Sequence, residues 1–146
     1  MAGERLDQVL RVLGGPTVLG RGLRRPDDLR DRVRQGLPYD SLNHVLRSIS
    51  LKMDGLLNAL DLPERTRARR KQSGTLSPAE SDRLYRLARI VALTIEALGD
   101  VDRAARWLEA PNRSLAGQRP VDLLDTEIGA RSVEDTIGRI EHGVFS

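Results

Sequence analysis

The chain has 146 residues, 39% of them apolar and 31% charged: too apolar for a disordered tail and too charged for a membrane protein. It is long enough for one real core or two small ones in contact, and its lack of cysteine excludes disulfides, thiolate metal sites and cysteine nucleophiles. The net charge of +3 is unevenly placed: residues 1–90 hold 18 Lys/Arg against 11 Asp/Glu, and residues 91–146 hold 6 against 10. A basic front half favours a polyanion, while an acidic back half is freer to meet a protein.

Taken in order, nearly every segment reads as helix. Leu6, Val9, Leu10 and Leu13 recur at helical spacing until Gly14-Gly15-Pro16 stops them. Residues 16–25, rich in glycine and arginine, read as a loop. Pro26 opens a helix with Leu29 and Val33 inward, and Gly36 is expected to end it in a left-handed conformation. Asp40 is the expected N-cap of a helix with Leu42, Val45, Leu46 and Ile49 on one stripe. Ser50 is the expected cap of the next, which carries Met53, Leu56, Leu57 and Leu60. A short break, Asp61-Leu62-Pro63, leads into the basic string ERTRARRKQ, and Gly74 closes it.

The clearest local signal is Ser77-Pro78-Ala79-Glu80, with serine at the N-cap, proline at the first helical position and glutamate able to reach back to the cap. From there Leu84, Leu87, Ala88, Val91, Ile95 and Leu98 mark a helix of about 20 residues ending at Gly99. It crosses the point where the charge changes sign and reads as a beam joining both halves. Its Leu87, Val91 and Ile95 suit an intermolecular stripe as readily as a core. Val101, Ala104, Ala105, Trp107 and Leu108 mark another helix, stopped at Pro111-Asn112. Pro120 starts a turn with Val121, Leu123 and Leu124. The last helix runs from about Ser132, with Val133, Ile137 and Ile140 inward, and Gly143 releases Val144-Phe145-Ser146. No β-branched alternation competes, so the expected class is all-α, with a first region over residues 1–75 and a second over 76–146.

The ingredients of an enzyme are missing. His44 sits on an amphipathic helix as an ordinary boundary residue, and His142 suits a helix C-terminus through the dipole. Glu80, Asp82 and Glu96 are explained by capping and solvation. Gly20-Arg21-Gly22 lacks the preceding strand and the lysine–serine/threonine ending of a phosphate loop. No catalysis, cofactor or metal is expected. Apolar runs fall far short of the roughly 20 residues of a membrane span. MAGERLDQVL carries charges where a signal peptide needs an apolar stretch, so the expectation is a cytoplasmic protein.

A helix, a short break and a second short helix over residues 50–72 form the arrangement of a helix-turn-helix. In the second helix Arg65, Arg67, Arg69, Arg70 and Lys71 outweigh Glu64, for a net +4 over residues 64–71. Arginine both reads guanine edges and grips phosphate. Arg65, Thr66, Arg67, Arg69, Arg70 and Lys71 are therefore the candidate DNA-binding residues, with Arg21, Arg24 and Arg25 as a second cluster able to hold phosphate. No aromatic side chains interleave with these cations, so duplex DNA suits them better than a single strand. In the back half Trp107 suits a core or an interface anchor. Phe145, the one phenylalanine, either tucks back onto its own domain or enters a partner.

Several strings, in this order, carry a resemblance. They are Gly36-Leu37-Pro38, Arg65-Thr66, Arg69-Arg70-Lys71 and the run from Gly74 to Leu84, GTLSPAESDRL. Ala105-Arg106-Trp107-Leu108, Pro111-Asn112, the run PVDLLDT from Pro120 to Thr126 and the run GRIEHGVF from Gly138 to Phe145 follow. Together they resemble the Xre-type antitoxins of RES–Xre toxin–antitoxin systems, within the wider group carrying the Xre/MbcA/ParS toxin-binding domain. The likeness covers residues 36–146. One departure is Leu115-Ala116-Gly117, where the family more often has a double glycine; residues 1–35 match more loosely. The resemblance implies an Xre-like helix-turn-helix part, joined by a long helix to a small helical toxin-binding domain. It implies binding to operator double-stranded DNA, repression of the operon, and neutralisation of a RES-domain toxin that consumes NAD⁺. It also implies a homodimer, and an antitoxin end that approaches the toxin's cleft. Trp107, Arg139, Glu141, His142, Val144 and Phe145 become the candidate toxin-binding residues. The competing reading is a stand-alone helix-turn-helix transcriptional regulator without a toxin partner.

Overall fold

The computed structural model describes residues 2–141 and Gly143. The expectations for His142, Val144 and Phe145 lie outside the described residues. The helices are α1 (Ala2–Val12), α2 (Gly15–Leu19), α3 (Pro26–Gln35), α4 (Asp40–Ser48), α5 (Met53–Leu60), α6 (Glu64–Ser73), α7 (Pro78–Leu98), α8 (Val101–Glu109) and α9 (Glu127–Glu141). Two 3₁₀ turns, Arg113–Leu115 and Pro120–Leu123, lie between α8 and α9. Among the described residues no strand forms beyond two isolated bridges, Pro38 with Thr75 and Asn112 with Gln118. The all-α reading holds: amino-terminal helix-turn-helix elements are joined by the long α7 to a small helical carboxy-terminal domain.

The long helix is the centre of the molecule. Its sequence stripe of Leu84, Leu87, Ala88, Val91, Ile95 and Leu98 spans roughly 100° of the circumference at 100° per residue. The buried set also includes Ile90, Ala92 and Thr94, which widens the buried arc to roughly 200°. Helices α1, α3, α5, α8 and α9 all pack on α7 and cover that arc. The Thr94 hydroxyl donates to the Ile90 carbonyl at 2.6 Å, so its burial leaves no polar atom stranded. Leu87 and Val91 are 1% and 0% exposed, so they belong to the chain's own core and are closed to a second copy.

The helix starts where its sequence places it. Ser77 Oγ accepts from the Glu80 N–H at 3.2 Å, the Ser77 N–H donates to Glu80 Oε1 at 2.9 Å, and Pro78 takes the first helical position. Gly99 ends it in a left-handed conformation.

Five local expectations are corrected. Residues 16–25 are not all loop: Pro16 opens the short α2, because a proline at the start of a helix loses no hydrogen bond there. Gly36 has φ +101° and ψ 124°, outside the left-handed helical region. Asp40 is the first helical residue and Tyr39 takes the cap position; Asp40 instead accepts from the Asn43 side chain at 3.2 Å. Ser50 does not cap α5, since the helix begins at Met53 with Lys52 before it. The last helix begins at Glu127 and not near Ser132. Thr126 Oγ1 accepts from the Gly129 N–H at 3.0 Å, and a Cβ at Gly129 would meet the Leu123 carbonyl oxygen at 1.9 Å. Glycine is needed at 129 because the preceding turn passes against it.

Gly36-Leu37-Pro38 forms the joint between the front helices and α7. The Leu76 N–H donates to the Leu37 carbonyl and the Tyr39 N–H to the Gly74 carbonyl, both at 2.9 Å. The Leu37 N–H donates to Ser81 Oγ at 2.7 Å. A Cβ at Gly36 would lie 2.4 Å from the Leu76 carbonyl oxygen, so glycine is required both by φ and by space. The departure at Leu115-Ala116-Gly117 leaves its turn intact, with Ala116 holding the left-handed conformation at φ +57°.

Two substitutions test these joints by thermal melting. Ser77→Ala should cost about 0.5–2 kcal/mol through the lost cap. Gly36→Ala should cost at least about 1–3 kcal/mol from backbone strain, with the Leu76 contact adding to it.

Candidate nucleic-acid interface and carboxy-terminal surface

The basic helix α6 has an unusual status: none of its residues is buried, so packing along its length does not hold it. A ten-residue helix is marginal on its own, and α6 is secured at both ends. Asp61 ends α5 with φ +49°, and the Leu62 N–H donates to the Leu57 carbonyl at 3.0 Å while the Leu62 side chain is buried. The short turn of the helix-turn-helix is therefore pinned by an aspartate, which tolerates the left-handed conformation. At the far end Gly74, left-handed at φ +85°, leads directly into the bonds with Leu37 and Tyr39.

The cations of α6 divide by face. Arg70 Nε and Nη2 donate to Glu80 Oε1 and Oε2 at 2.7 and 3.2 Å, a two-pronged pair across the corner between α6 and α7. Arg67 Nη1 donates to Glu64 Oε1 at 2.6 Å and is half-buried near Tyr39. Thr66 is half-buried on the same side. Arg65, Arg69 and Lys71 are exposed. So the six candidate DNA-binding residues occupy one helix, with Thr66, Arg67 and Arg70 on its inner face and Arg65, Arg69 and Lys71 open to a ligand. Arg21, Arg24 and Arg25 are exposed too, in the segment before α3. The Arg24 and Arg25 N–H groups both donate to Asp28 Oδ2 at 3.0 Å.

Glu80 carries the electrostatics of this corner. Burial to 8% exposure opposes its charge, but the Arg70 guanidinium and the Ser77 N–H outweigh burial and hold its carboxyl below the ordinary value. Arg70 is raised in turn, by its hydrogen bond to Glu80. The sequence marked Glu80 as a capping residue; that Arg70 also reaches it across ten positions had no local signal.

The carboxy-terminal domain is tied to α7 by a second set of ion pairs, also without local signal. Arg86 pairs with Glu127 at 3.0 Å and with Asp82 at 3.6 Å. Arg89 hydrogen-bonds Glu134, lies 3.8 Å from Glu127, and stacks over the Tyr85 ring at 5.6 Å. Trp107 is half-buried beside the buried Leu108, and Arg139 is exposed on α9. Glu141 lies 3.9 Å from Arg5 of α1. Sequence reasoning passed over Ile128, which is 81% exposed at the start of α9. Among the described residues no group of His, Cys, Asp and Glu is arranged to hold a metal ion. Nor is any helix there long and apolar enough to cross a membrane.

A helix-turn-helix carried on one end of a long helix, with a small helical domain on the other, defines a two-part helical regulator. Residues 28–89 match the antitoxin Xre-like helix-turn-helix domain, and residues 92–143 match the antitoxin Xre/MbcA/ParS carboxy-terminal toxin-binding domain. Two proteins named Antitoxin Xre are similar along most of the chain. That of Yersinia enterocolitica is 35% identical over 120 residues, 81% of each chain, and that of Photorhabdus laumondii 33% over 116 residues, 78% of each. The Prs ADP-ribosylating antitoxin of Sphingobium is 26% identical over 131 residues, 83% of this chain and 82% of its own. The chain belongs to the Xre antitoxin family, with its Xre-like helix-turn-helix and Xre/MbcA/ParS toxin-binding domain.

The depressed Glu80 gives a pH test. A carboxylate with a lowered folded-state value adds stability above its unfolded value, and loses it as pH falls through the folded one. Wild type should therefore melt above Glu80→Gln at neutral pH. The gap should close as pH falls below the ordinary carboxylate value of 4.5. Melting curves of both proteins over that pH range check it.

Proposed function

We propose that this antitoxin represses its own operon by binding duplex operator DNA, and neutralises a RES-domain toxin that consumes NAD⁺. The observation that carries the DNA half is the split of α6. One face is tied to the body by Arg70–Glu80, with Arg67 paired to Glu64 of the same helix, and the other presents Arg65, Arg69 and Lys71 with no packing to lose on docking. A preorganised arginine face suits the major groove and its phosphate walls. In this reading residues 1–75 are the DNA-binding region, and residues 76–146 are the connecting helix and toxin-binding domain.

The toxin half is supported by the toxin-binding domain of the family and by the resemblance of the sequence strings to antitoxins of RES–Xre systems. ADP-ribosyl transfer draws on NAD⁺, so the name of the Sphingobium relative fits an NAD⁺-consuming partner. The residues proposed to meet the toxin are Trp107, Arg139 and Glu141, together with His142, Val144 and Phe145 of the sequence that follows. Occupying an NAD⁺ cleft needs no chemistry from the antitoxin, since steric exclusion and complementary charge suffice. Two copies acting as a homodimer would match paired operator half-sites. With Leu87 and Val91 inside the core, that contact falls to surfaces other than the α7 stripe.

Two experiments separate the parts. Arg69→Ala should weaken binding to the protein's own promoter with an unchanged melt, while Arg70→Ala should weaken binding and lower the melt together. A base-reading arginine loses about 1–3 kcal/mol of discrimination, whereas a phosphate contact weakens all sequences and flattens the salt slope. Fluorescence anisotropy on operator and scrambled duplexes at two salt concentrations distinguishes these, and unchanged affinity of the Arg65/Arg69 double alanine variant would overturn the assignment of α6. Truncation after Glu141 should abolish inhibition of NAD⁺ consumption by the toxin encoded beside it, while promoter binding and the melt stay near normal. Full inhibition by the truncated chain would move the toxin surface back to Trp107 and the 120–126 turn.

A further inference from the structure

The outer surface of α6 carries two uncharged residues among its cations, Ala68 and Gln72. Viewed down the helix from Arg65, at roughly 100° per residue, the half-buried Thr66, Arg67 and Arg70 fall at about 100°, 200° and 140°. Their mean, about 150°, is the direction of the body, so the outward direction lies near roughly 330°. Around it stand Ala68 at about 300°, Gln72 at about 340°, Arg65 at the origin and Arg69 at about 40°. All four are exposed. Lys71 and Glu64 fall to one side of this ridge, at about 240° and 260°.

The ridge residues are spaced i, i+3, i+4 and i+7, the register by which one helix laid along the major groove meets base edges. From Arg65 to Gln72 the ridge rises about 10 Å, the height of about three base pairs. Over that length it carries no acidic side chain. Glu64 lies off the ridge and accepts from Arg67, and Glu80, the next acid along the chain, is buried against Arg70. The side chains of Arg65, Arg69 and Gln72 hold no hydrogen bond or ion pair with another described residue, so docking breaks none.

Resting on the reading of α6 as the DNA-binding helix, we propose that Gln72 reads an adenine edge and that Ala68 sets how closely the helix approaches. Sequence choice then belongs to Arg65, Ala68, Arg69 and Gln72, while Lys71 serves the phosphates. The Gln72 amide accepts from adenine N6 and donates to N7 in one plane. Guanine presents two acceptors at the same edge and suits the arginines. Ala68 ends at its Cβ, where it meets a thymine methyl, and a longer side chain there would hold the helix off the bases. Lys71 lacks a planar fork and acts as a point charge beside the groove.

The test is selection of bound duplexes from a randomised pool by the full chain, followed by sequencing, which reports base preferences with no operator known beforehand. Wild type should enrich a half-site with an A·T pair at the position read by Gln72. Gln72→Ala should lower the preference there about tenfold and leave the other positions unchanged. Gln72→Arg should turn the same position to guanine, an exchange that a merely structural side chain does not produce. Ala68→Leu should weaken binding to the selected duplex with an unchanged melt; wild-type affinity in that variant overturns the role of Ala68. Unchanged preferences in Gln72→Ala, or weakening spread evenly over all sequences, overturns the role of Gln72. The Arg65/Arg69 double alanine variant separates this proposal from the reading it rests on. If that variant still selects the wild-type half-site, the assignment of α6 fails and the proposal with it. If it loses selection while Gln72→Ala keeps every preference, α6 remains the DNA-binding helix and only the role of Gln72 falls.

Discussion

The arrangement depends on one carboxylate. Glu80 closes the capping box of α7 and, with the same side chain, holds Arg70 of α6 in a two-pronged pair. Each role supports the other: the cap fixes where the carboxylate points, and the guanidinium offsets its burial. An unpaired carboxylate at this depth would be costly. A helix with no buried residue of its own is thereby held at a defined angle to the most buried helix in the molecule. Its exposed cations, Arg65, Arg69 and Lys71, are aimed without being packed.

From that corner α7 runs into the other half. Arg86 and Arg89, two to three turns on, bind Glu127 and Glu134 of α9, so the same helix that positions α6 also positions the carboxy-terminal domain. The 3₁₀ turn Pro120–Leu123 packs on α5, the first helix of the helix-turn-helix. No flexible linker separates the parts. An antitoxin built this way offers a basic helix on one side and an acidic domain on the other.

How much of this was legible in the sequence depends on how local each cause is. The α7 start was readable because Ser77, Pro78 and Glu80 act within one turn. Its end was readable because Gly99 follows the last apolar position. The short break before α6 and its closing Gly74 were visible for the same reason. The errors fall where tertiary contacts override local preference. The last helix starts at Glu127, before the expected Ser132, and Gly129 within its first turn lies against the Leu123 backbone. Pro16 looked like a stop but starts a short helix. Ile90, Ala92 and Thr94 lay off the apolar stripe and became core once helices packed on both sides. In the site, composition located the basic helix. It could not say which arginines were already engaged, because Arg70 meets its partner across a corner and Arg86 and Arg89 meet theirs some forty residues away.

The central claim is that one rigid helix carries two functions that operate together. It is tested most directly by adding purified chain stepwise to the RES-domain toxin proposed as its partner, with fluorescent operator duplex in the same sample. The account predicts that NAD⁺ consumption falls to zero at a fixed stoichiometric ratio while the duplex remains bound. Undiminished NAD⁺ consumption in the presence of excess chain that still binds the operator would contradict it.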